Sequence, residues 1–406
     1  MILKRILLHN FRNYKDVDVE LSDGANILIG RNAQGKTNFL ESIYFLATGR
    51  PYRSFAEDKD LIRWDAKELF VRGEIIRFGR GMRIEIGMTR NEDSGTSKRI
   101  RVGGKEVRKI SEFFGSLAVV FLSPDDIGIV QGPPSERRRW IDVWISQVNP
   151  MYLRMLQTFF RLLKQRNNLL KTISSGIESP EVLRPWDEQM AQVGAWITRK
   201  RAEMLEIVNP ILSEIYTMLS GGEERIGIDY RMSGGVSEEE FLDKLHSSRD
   251  AEISYGVSLI GPHRDEIVFT SDGMNLRGFG STGQQRCAVI ALKFAEAMAM
   301  EREIGERPVL LLDDILLELD EERRGFAKEL ISGRGQWILT SSREEDIRGL
   351  DVERVLRVEG GVIREDGGSG KDRIYIGSPP SEEGDEEEDF GGEGFSPLGG
   401  DSWMAF

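Results

Sequence analysis

The sequence predicts an α/β fold split by a helical lobe and followed by an acidic tail, on three observations. An aliphatic run at 25–29 leads into GRNAQGKT at 30–37 and then an amphipathic run read as helix over 38–48. A second aliphatic run, 308–312, ends in Asp313-Asp314. Between them, residues 135–219 place apolar residues at three- and four-residue intervals, as in MYLRMLQTFFRLLKQRNNLLKTI. Buried strands separated by helices are the mark of an α/β sheet with flanking helices.

Taken in order, ILKRILLHNF and VDVEL alternate as half-buried strands, and 25–29 reads as a buried one. KELFVRGEIIRFGRGMRIEIGMT reads as strands joined by a Gly-containing turn that extend the N-terminal sheet. NEDSGTSKRIRVGGKEV suggests an exposed hairpin turning at Gly103-Gly104. The helical lobe follows, and EQMAQVGAWITRKRAEMLEIV continues its periodicity without running far enough for a long coiled coil. Strands return at 225–230 and 266–270, then a helix over 284–303 and the strand 308–312. After 365 the chain turns to Gly, Ser, Pro and acid, with too little apolar surface to offset the entropy of ordering, which predicts disorder over 366–406. The expected division is an α/β domain from 1–122 and 255–365, a helical lobe over 123–254, and the tail.

The 406 residues are 39% hydrophobic, enough to bury a sizeable core. No apolar run reaches the length of a membrane span, and the start lacks a signal peptide's apolar stretch and cleavage site. A single cysteine, Cys287, excludes an internal disulfide. These features predict a cytoplasmic protein with no membrane partner. The net charge of -13 is uneven: 137–201 holds 12 Lys/Arg against 5 acids, and 367–406 holds 10 acids against 2 bases. The basic stretch fits a polyanion site or a solvated helical face, and composition does not decide between them.

Gly30-Arg31-Asn32-Ala33-Gln34-Gly35-Lys36-Thr37 matches G-x-x-x-x-G-K-[ST] in full. Glycine lets successive backbone N–H groups turn inward around phosphate oxygens, and the following helix, with Asn38 in its first turn, points its positive end at the same anion. Lys36 is placed to reach β and γ phosphates and the Thr37 hydroxyl to bind Mg²⁺. This predicts a nucleoside triphosphate site, with ATP and Mg²⁺. At the end of the second strand, Asp313 is placed to hold Mg²⁺, and Asp314 to orient or deprotonate an attacking water; the alternative is a pair of capping carboxylates. Ser281, Gly283 and Gln284 open the helix read over 284–303, a second helix N-terminus; alone they read as a plain N-cap.

The order of these motifs is similar to the ABC-type P-loop ATPase heads of the SMC group, and in detail it resembles the RecF family of bacterial DNA replication and recombination-repair ATPases. The matching text is LHNFRNY (8–14), GRNAQGKTNFLESIYFLATGRPYRS (30–54), FLSPDDIGIVQGPPSERRRWID (121–142), LKQRNNLLK (163–171), GPHRDE (261–266), STGQQR (281–286) and LLLDDILLELDEERR (310–324). The resemblance spans 1–365 and implies an ABC-type head with an inserted α-helical lobe. It implies an ATP-dependent homodimer in which Ser281, Gly283 and Gln284 of one copy close on the γ-phosphate held by Lys36 of the other. It also implies that Arg12 approaches the nucleotide phosphates, that Glu318-Leu319-Asp320 lines the dimer seam, and that double-stranded DNA, ss/dsDNA junctions and RecR- and RecO-like mediators are the partners.

Two departures stand out. The residue after the Mg²⁺ carboxylate is Asp314 where many such ATPases have Glu, and WILTSSR (337–343) offers Thr340 and Ser341 where a His is expected. Both predict slow, switch-like hydrolysis. No Gln near Val120 matches the usual Q-loop. Candidate DNA contacts are Arg137, Arg138, Arg139, Arg161, Lys164, Arg166 and Lys171, with Lys98, Arg99 and Arg101 on the hairpin. His263 reads as a structural turn residue rather than a nucleotide sensor. The tail, ending GGDSWMAF, reads as a solubilising tether or as a peptide that docks on a repair partner. A structural chromosome-organising SMC-type head is disfavoured by the absence of long heptad arms. A nucleotide kinase is disfavoured by the Ser281–Gln285 segment.

Overall fold

Described in the computed structural model are residues 1–53, 55–91, 95–222, 224–333, 335–365 and 373–375. They group into two units, one of residues 1–124 with those from 300 onward, the other of residues 125–299.

The first unit contains two sheets. In the six-stranded antiparallel sheet the order is Tyr14–Glu20, Ile2–Phe11, Glu68–Arg77, Arg80–Asn91, Gly95–Val102 and Lys105–Glu106. Two of its hairpins turn where the sequence places glycine, at Gly79 and at Gly103-Gly104, all with positive φ, and the first turns at Arg12-Asn13. The seven-stranded sheet has five adjacent parallel strands, Arg354–Glu359, Ala25–Ile29, Trp337–Ser341, Val309–Asp313 and Val119–Leu122. The three central strands are buried at every position, which is why Val309–Asp313 and most of Ala25–Ile29 read as aliphatic, while Trp337–Ser341 buries Thr340 and Ser341 as well. Val362–Glu365 and Arg373–Tyr375 add antiparallel strands at one edge. The last of these departs from the expectation that all of 366–406 lacks structure: three residues with strand-forming Ile374 and Tyr375 find an edge to pair with. The rest of the predicted tail lies outside the described residues.

Helix Lys36–Thr48 packs on strands of both sheets. Eleven of its 13 residues are buried, so it is not the amphipathic helix its sequence suggests but a fully enclosed one. Its approach to the antiparallel sheet depends on Gly73, where a Cβ would lie 2.2 Å from Leu46 Cδ2.

In the second unit, helices Pro134–Val148, Pro150–Ser174, Arg184–Leu219 and Glu238–Tyr255 accompany an antiparallel sheet of Met274–Asn275, Glu266–Ser271 and Ile226–Arg231. Strand Glu266–Ser271 and most of helix Thr282–Ile304 group here, although the sequence-based division returned to the α/β domain at 255. Pairing of Glu266–Ser271 with Ile226–Arg231 and the bond from Trp140 Nε1 to Glu296 Oε2 (2.9 Å) account for that grouping. Two buried arginines knit the unit together. Arg166 donates to Asp187, Ser258 and Glu252 at 2.7–2.8 Å. Arg201 donates to both oxygens of Asp142, to Tyr152 Oη, to Pro262 O and to Asp265 Oδ2.

Removing one partner of a buried, hydrogen-bonded ion pair leaves the other charge uncompensated, at a cost of about 3–5 kcal/mol. Arg201→Met is therefore expected to lower unfolding stability by about that amount in urea titrations, because Asp142 and Asp265 stay buried. Arg184→Met, which breaks only the exposed pair with Glu188, is expected to leave the midpoint unchanged.

Candidate functional site

The strand Ala25–Ile29 ends at Gly30, where a Cβ would lie 2.3 Å from the backbone oxygen of Val358, so no other residue fits. Ala33 (φ 64°) and Gly35 (φ 121°) then fold the loop back to the start of helix Lys36–Thr48. The loop is pinned from outside. Asn13 Nδ2 and Gly361 N donate to Gln34 O at 3.0 and 3.1 Å, and Tyr14 Oη donates to Gly35 O at 2.9 Å. Asn38 Nδ2 donates to Asn13 Oδ1 at 2.8 Å, which ties the helix's first turn to the same turn residue. Inside the loop, Lys36 is 4% exposed and its Nζ donates to Gly30 O (2.8 Å) and Arg31 O (3.3 Å). No side chain caps the helix, so its first N–H groups are left for an anion. The Lys36 ammonium, the open helix end and a loop too tight for side chains form a cradle that suits phosphate oxygens.

Facing the cradle, strand Val309–Asp313 delivers two carboxylates. Asp313 Oδ2 accepts from Thr37 Oγ1 at 2.8 Å, and Oδ1 accepts from Thr340 Oγ1 at 2.7 Å. Thr340 Oγ1 in turn accepts from Asp314 N at 3.0 Å. The threonine noted in the sequence only as standing where a His was expected is thus what orients the acid pair. Asp314 takes a left-handed backbone (φ 47°), costly for a non-glycine residue, with Oδ2 4.0 Å from Lys36 Nζ and Oδ1 buried without a partner. Burial pushes the Asp313 carboxyl up, opposed by the Thr340 and Thr37 hydrogen bonds and by the Lys36 and Arg53 charges. Burial also pushes Asp314 up, opposed by Lys36 and reinforced by Asp313 and Asp346. Among the described residues no three His, Cys, Asp or Glu gather as a metal cage. One hydroxyl and one carboxylate oxygen are too few to hold a cation by protein alone and fit Mg²⁺, which keeps several waters and takes phosphate oxygens from its substrate.

Arg12, also left-handed (φ 53°), donates from Nε and Nη2 to both oxygens of Glu41 on the loop helix, at 2.9 and 3.0 Å, and from Nη1 to Asp60 O. Its guanidinium is therefore held by a carboxylate of the loop helix. It also lines a cavity of about 420 Å³ with Arg53, Lys59, Asp60, Arg90 and the exposed rings of Phe55 and Trp64. Arg53, whose charge reaches Asp313, carries no sequence signal beyond its place in the motif-matching text.

In the second unit, Ser281 and Gln284 form a reciprocal cap: Gln284 N donates to Ser281 Oγ (3.2 Å) and Ser281 N to Gln284 Oε1 (2.6 Å). Gln284 Nε2 also donates to Glu224 Oε1 at 2.8 Å. Gln285, not named among the candidate site residues, is buried and anchors the preceding turn through Leu276 O (2.8 Å). Ser281 itself is exposed, as is Phe279 just before it, and Gly283 lies in the first turn of helix Thr282–Ile304.

The DNA candidates separate by burial. Arg137 is 4% exposed, spent on Glu266 and on the carbonyls of Ile129 and Gly132, and Arg166 is fully buried. Neither presents a cation to a partner, because each is the counter-ion of an internal acid. Lys98 is likewise committed, to Asp58 at 2.8 Å, with burial holding its ammonium below the usual lysine range. Arg138 donates to Asp265 O and is half-buried, as is Arg139. Arg161, Lys164 and Lys171 are exposed on helix Pro150–Ser174. His263 is partly buried, donates from Nε2 to Ser258 O and is driven by desolvation down to about 3, so it stays neutral. Cys287 is buried. No helix among the described residues is long and apolar enough to cross a membrane.

Residues 2–363 match the family model described as the RecF/RecN/SMC N-terminal domain. The chain is 35% identical over 377 residues to the "DNA replication and repair protein RecF" of Halalkalibacterium halodurans, covering 90% of this chain and all of that one. It is 36% identical to the protein of the same name from Listeria monocytogenes serotype 4b, again over 90% of this chain. A solved structure described as the recombination mediator protein RecF-ATP in the RecFOR pathway superposes with a TM-score of 0.82 at 31% identity, covering 90% of this chain and 98% of that one.

Thr340→Val keeps the shape of the side chain but strips a donor from Asp313 and an acceptor from Asp314 N. The expected cost is about 1–3 kcal/mol of unfolding free energy, and Thr340→Ser, which keeps the hydroxyl, is expected to restore most of it in the same urea titration.

Proposed function

Because this chain belongs to the RecF family of DNA replication and repair proteins, we propose that it is an ATP-gated dimer that binds duplex DNA and ss/dsDNA junctions at gaps and promotes recombinase loading. The observation that carries this reading is the constellation Lys36–Thr37–Asp313–Thr340, a phosphate cradle facing an oriented carboxylate. ATP is the ligand of the RecF structure to which this chain is similar, and the cradle, formed by this chain's own residues 30–38, suits its phosphates. The cavity beside Arg12 suits the base and ribose, with Trp64 and Phe55 offering faces for stacking.

Thr37 and Asp313 would hold Mg²⁺. The ion would neutralise charge on the β and γ phosphates. Lys36 would release the Gly30 and Arg31 carbonyls and turn to the phosphates. Asp314, one methylene shorter than Glu and lying 4.0 Å from that ammonium, is the group placed to orient a water; its short reach supports slow turnover. Ser281 and Gln284 of a second copy would complete the γ-phosphate cage, so that dimer affinity depends on that phosphate. Arg161 and Lys164 support contacts to the DNA backbone, and Arg138 and Arg139 remain secondary candidates. RecR- and RecO-like mediators would be the partners, as the RecFOR description of the similar structure suggests.

Two measurements test this. Light scattering should report a monomer with ADP and a dimer with a non-hydrolysable ATP analogue and Mg²⁺, and Lys36→Ala should stay monomeric in both; a wild-type monomer with the analogue and DNA together would sink the reading. Arg161→Glu with Lys164→Glu should weaken nucleotide-dependent duplex binding at least tenfold at moderate salt and flatten its salt dependence, with nucleotide affinity unchanged.

A further inference from the structure

Helix Pro150–Ser174 contains five Lys or Arg and no acid. Arg166 is buried, and the other four, Arg154, Arg161, Lys164 and Lys171, are all exposed. Spacings of three and seven residues put them along one side of the helix, over a length of about 26 Å at 1.5 Å per residue. At the far end of this stripe the surface changes character. Ile177, just beyond the helix, is 74% exposed, and Tyr255, at the end of helix Glu238–Tyr255, is 73% exposed. Lys171 runs directly past the next residue, its Cγ 3.3 Å from the position of a Cβ at Gly256. A cationic stripe serves DNA by itself, but an exposed Ile at its end adds nothing to a contact with a phosphate backbone, and the exposed Tyr ring at the same end widens the apolar face. They suit a polypeptide that is acidic along most of its length and apolar at one end.

Such a polypeptide is present in this chain. Residues 376–406 hold nine Asp or Glu and no Lys or Arg. Seven of the acids fall in EEGDEEED (382–389), followed by Phe390 and, five residues on, Phe395. Eight extended residues span about 27 Å, the length of the stripe. The 31 residues after Tyr375 have an extended length of about 100 Å.

We propose that residues 382–395 dock on the face of helix Pro150–Ser174 carrying Arg154, Arg161, Lys164 and Lys171, with Phe390 or Phe395 against Tyr255 and Ile177, and so compete with DNA for that face. The DNA half of this statement rests on the function proposed above; the docking half does not. A tail of this kind sets a threshold. Nonspecific duplex contacts must displace it, and because both ligands are polyanions, the competition is strongest at low salt and fades as salt screens both.

The test uses the full chain with Glu382, Glu383, Asp385, Glu386, Glu387, Glu388 and Asp389 changed to their amides. A fluorescein-labelled peptide EEGDEEEDFGGEGF should bind this variant at 50 mM salt by anisotropy and be released at 500 mM. Adding Arg161→Glu and Lys164→Glu should abolish peptide binding, and adding Tyr255→Ala, an exposed position where folding is not at stake, should weaken it several-fold. The amide variant should also bind duplex DNA at least fivefold more tightly than wild type at 50 mM salt. No peptide binding, or peptide binding indifferent to Arg161→Glu with Lys164→Glu, overturns the docking; equal DNA affinity of the two proteins overturns the competition. If neither protein binds DNA at any salt, the DNA reading falls and the peptide measurement still decides the docking.

Discussion

The nucleotide half of this molecule depends on one constraint: helix Lys36–Thr48 is enclosed between two sheets and cannot rotate or slide without breaking both contacts. Leu46 fills the space left by Gly73 on one side, and Thr37 bonds to Asp313 on the other. A helix buried nearly all round fixes its own N-terminus in space, and that terminus is the phosphate cradle. The outer pins, Asn13 and Tyr14 from the first hairpin and Gly361 from the turn after Arg354–Glu359, hold the Gln34 and Gly35 carbonyls on the outside of the loop. Thus residues far apart in sequence converge to keep these two carbonyls from the helix end, where the open backbone N–H groups face a ligand.

The second unit solves a different problem. Its long helices bury arginines, and each buried guanidinium is met by carboxylates from elsewhere in the unit: Asp187 and Glu252, on two other helices, for Arg166, and Asp142, on another helix, with Asp265, just before strand Glu266–Ser271, for Arg201. Burying such groups costs several kcal/mol per ion, which the ion pairs and hydrogen bonds from each guanidinium offset. Asp265 also accepts from Tyr230 and from Ser233 N, which explains the polar text GPHRDE as a structural corner. A basic segment by composition is therefore partly an ionic core.

That difference marks what the sequence made legible. The loop at 30–37 and the acids at 313–314 were readable because each position is fixed by local geometry, so residue identity and spacing suffice. Strands Ala25–Ile29 and Val309–Asp313 were readable because full burial on both faces writes itself as a mostly aliphatic run. Strand Arg354–Glu359 was not, since RVLRVE interleaves charges that pair across the sheet and at its edge, Arg354 with Glu365 and Arg357 with Glu344. Arg137 and Arg166 were misjudged for a related reason: their partners lie 129, 21 and 86 residues away, so nothing nearby announces that the charge is spent. Thr340 was visible only as a departure from a pattern, because its role exists only through register with Val309–Asp313.

The geometry of Asp314 ties these strands of argument together. A left-handed aspartate costs of order 1–3 kcal/mol, and an orphaned buried carboxylate oxygen next to a second acid adds to it. Thr340 holds this arrangement in place by supplying an acceptor to the Asp314 amide and a donor to Asp313. A site held under tension in this way gains more from a cation and a polyanion than a relaxed one would, since the ligand relieves acid–acid repulsion as well as making its own contacts. By linkage, whatever binds stabilises the whole first unit, and the enclosed helix is the rigid element through which that stabilisation spreads to both sheets.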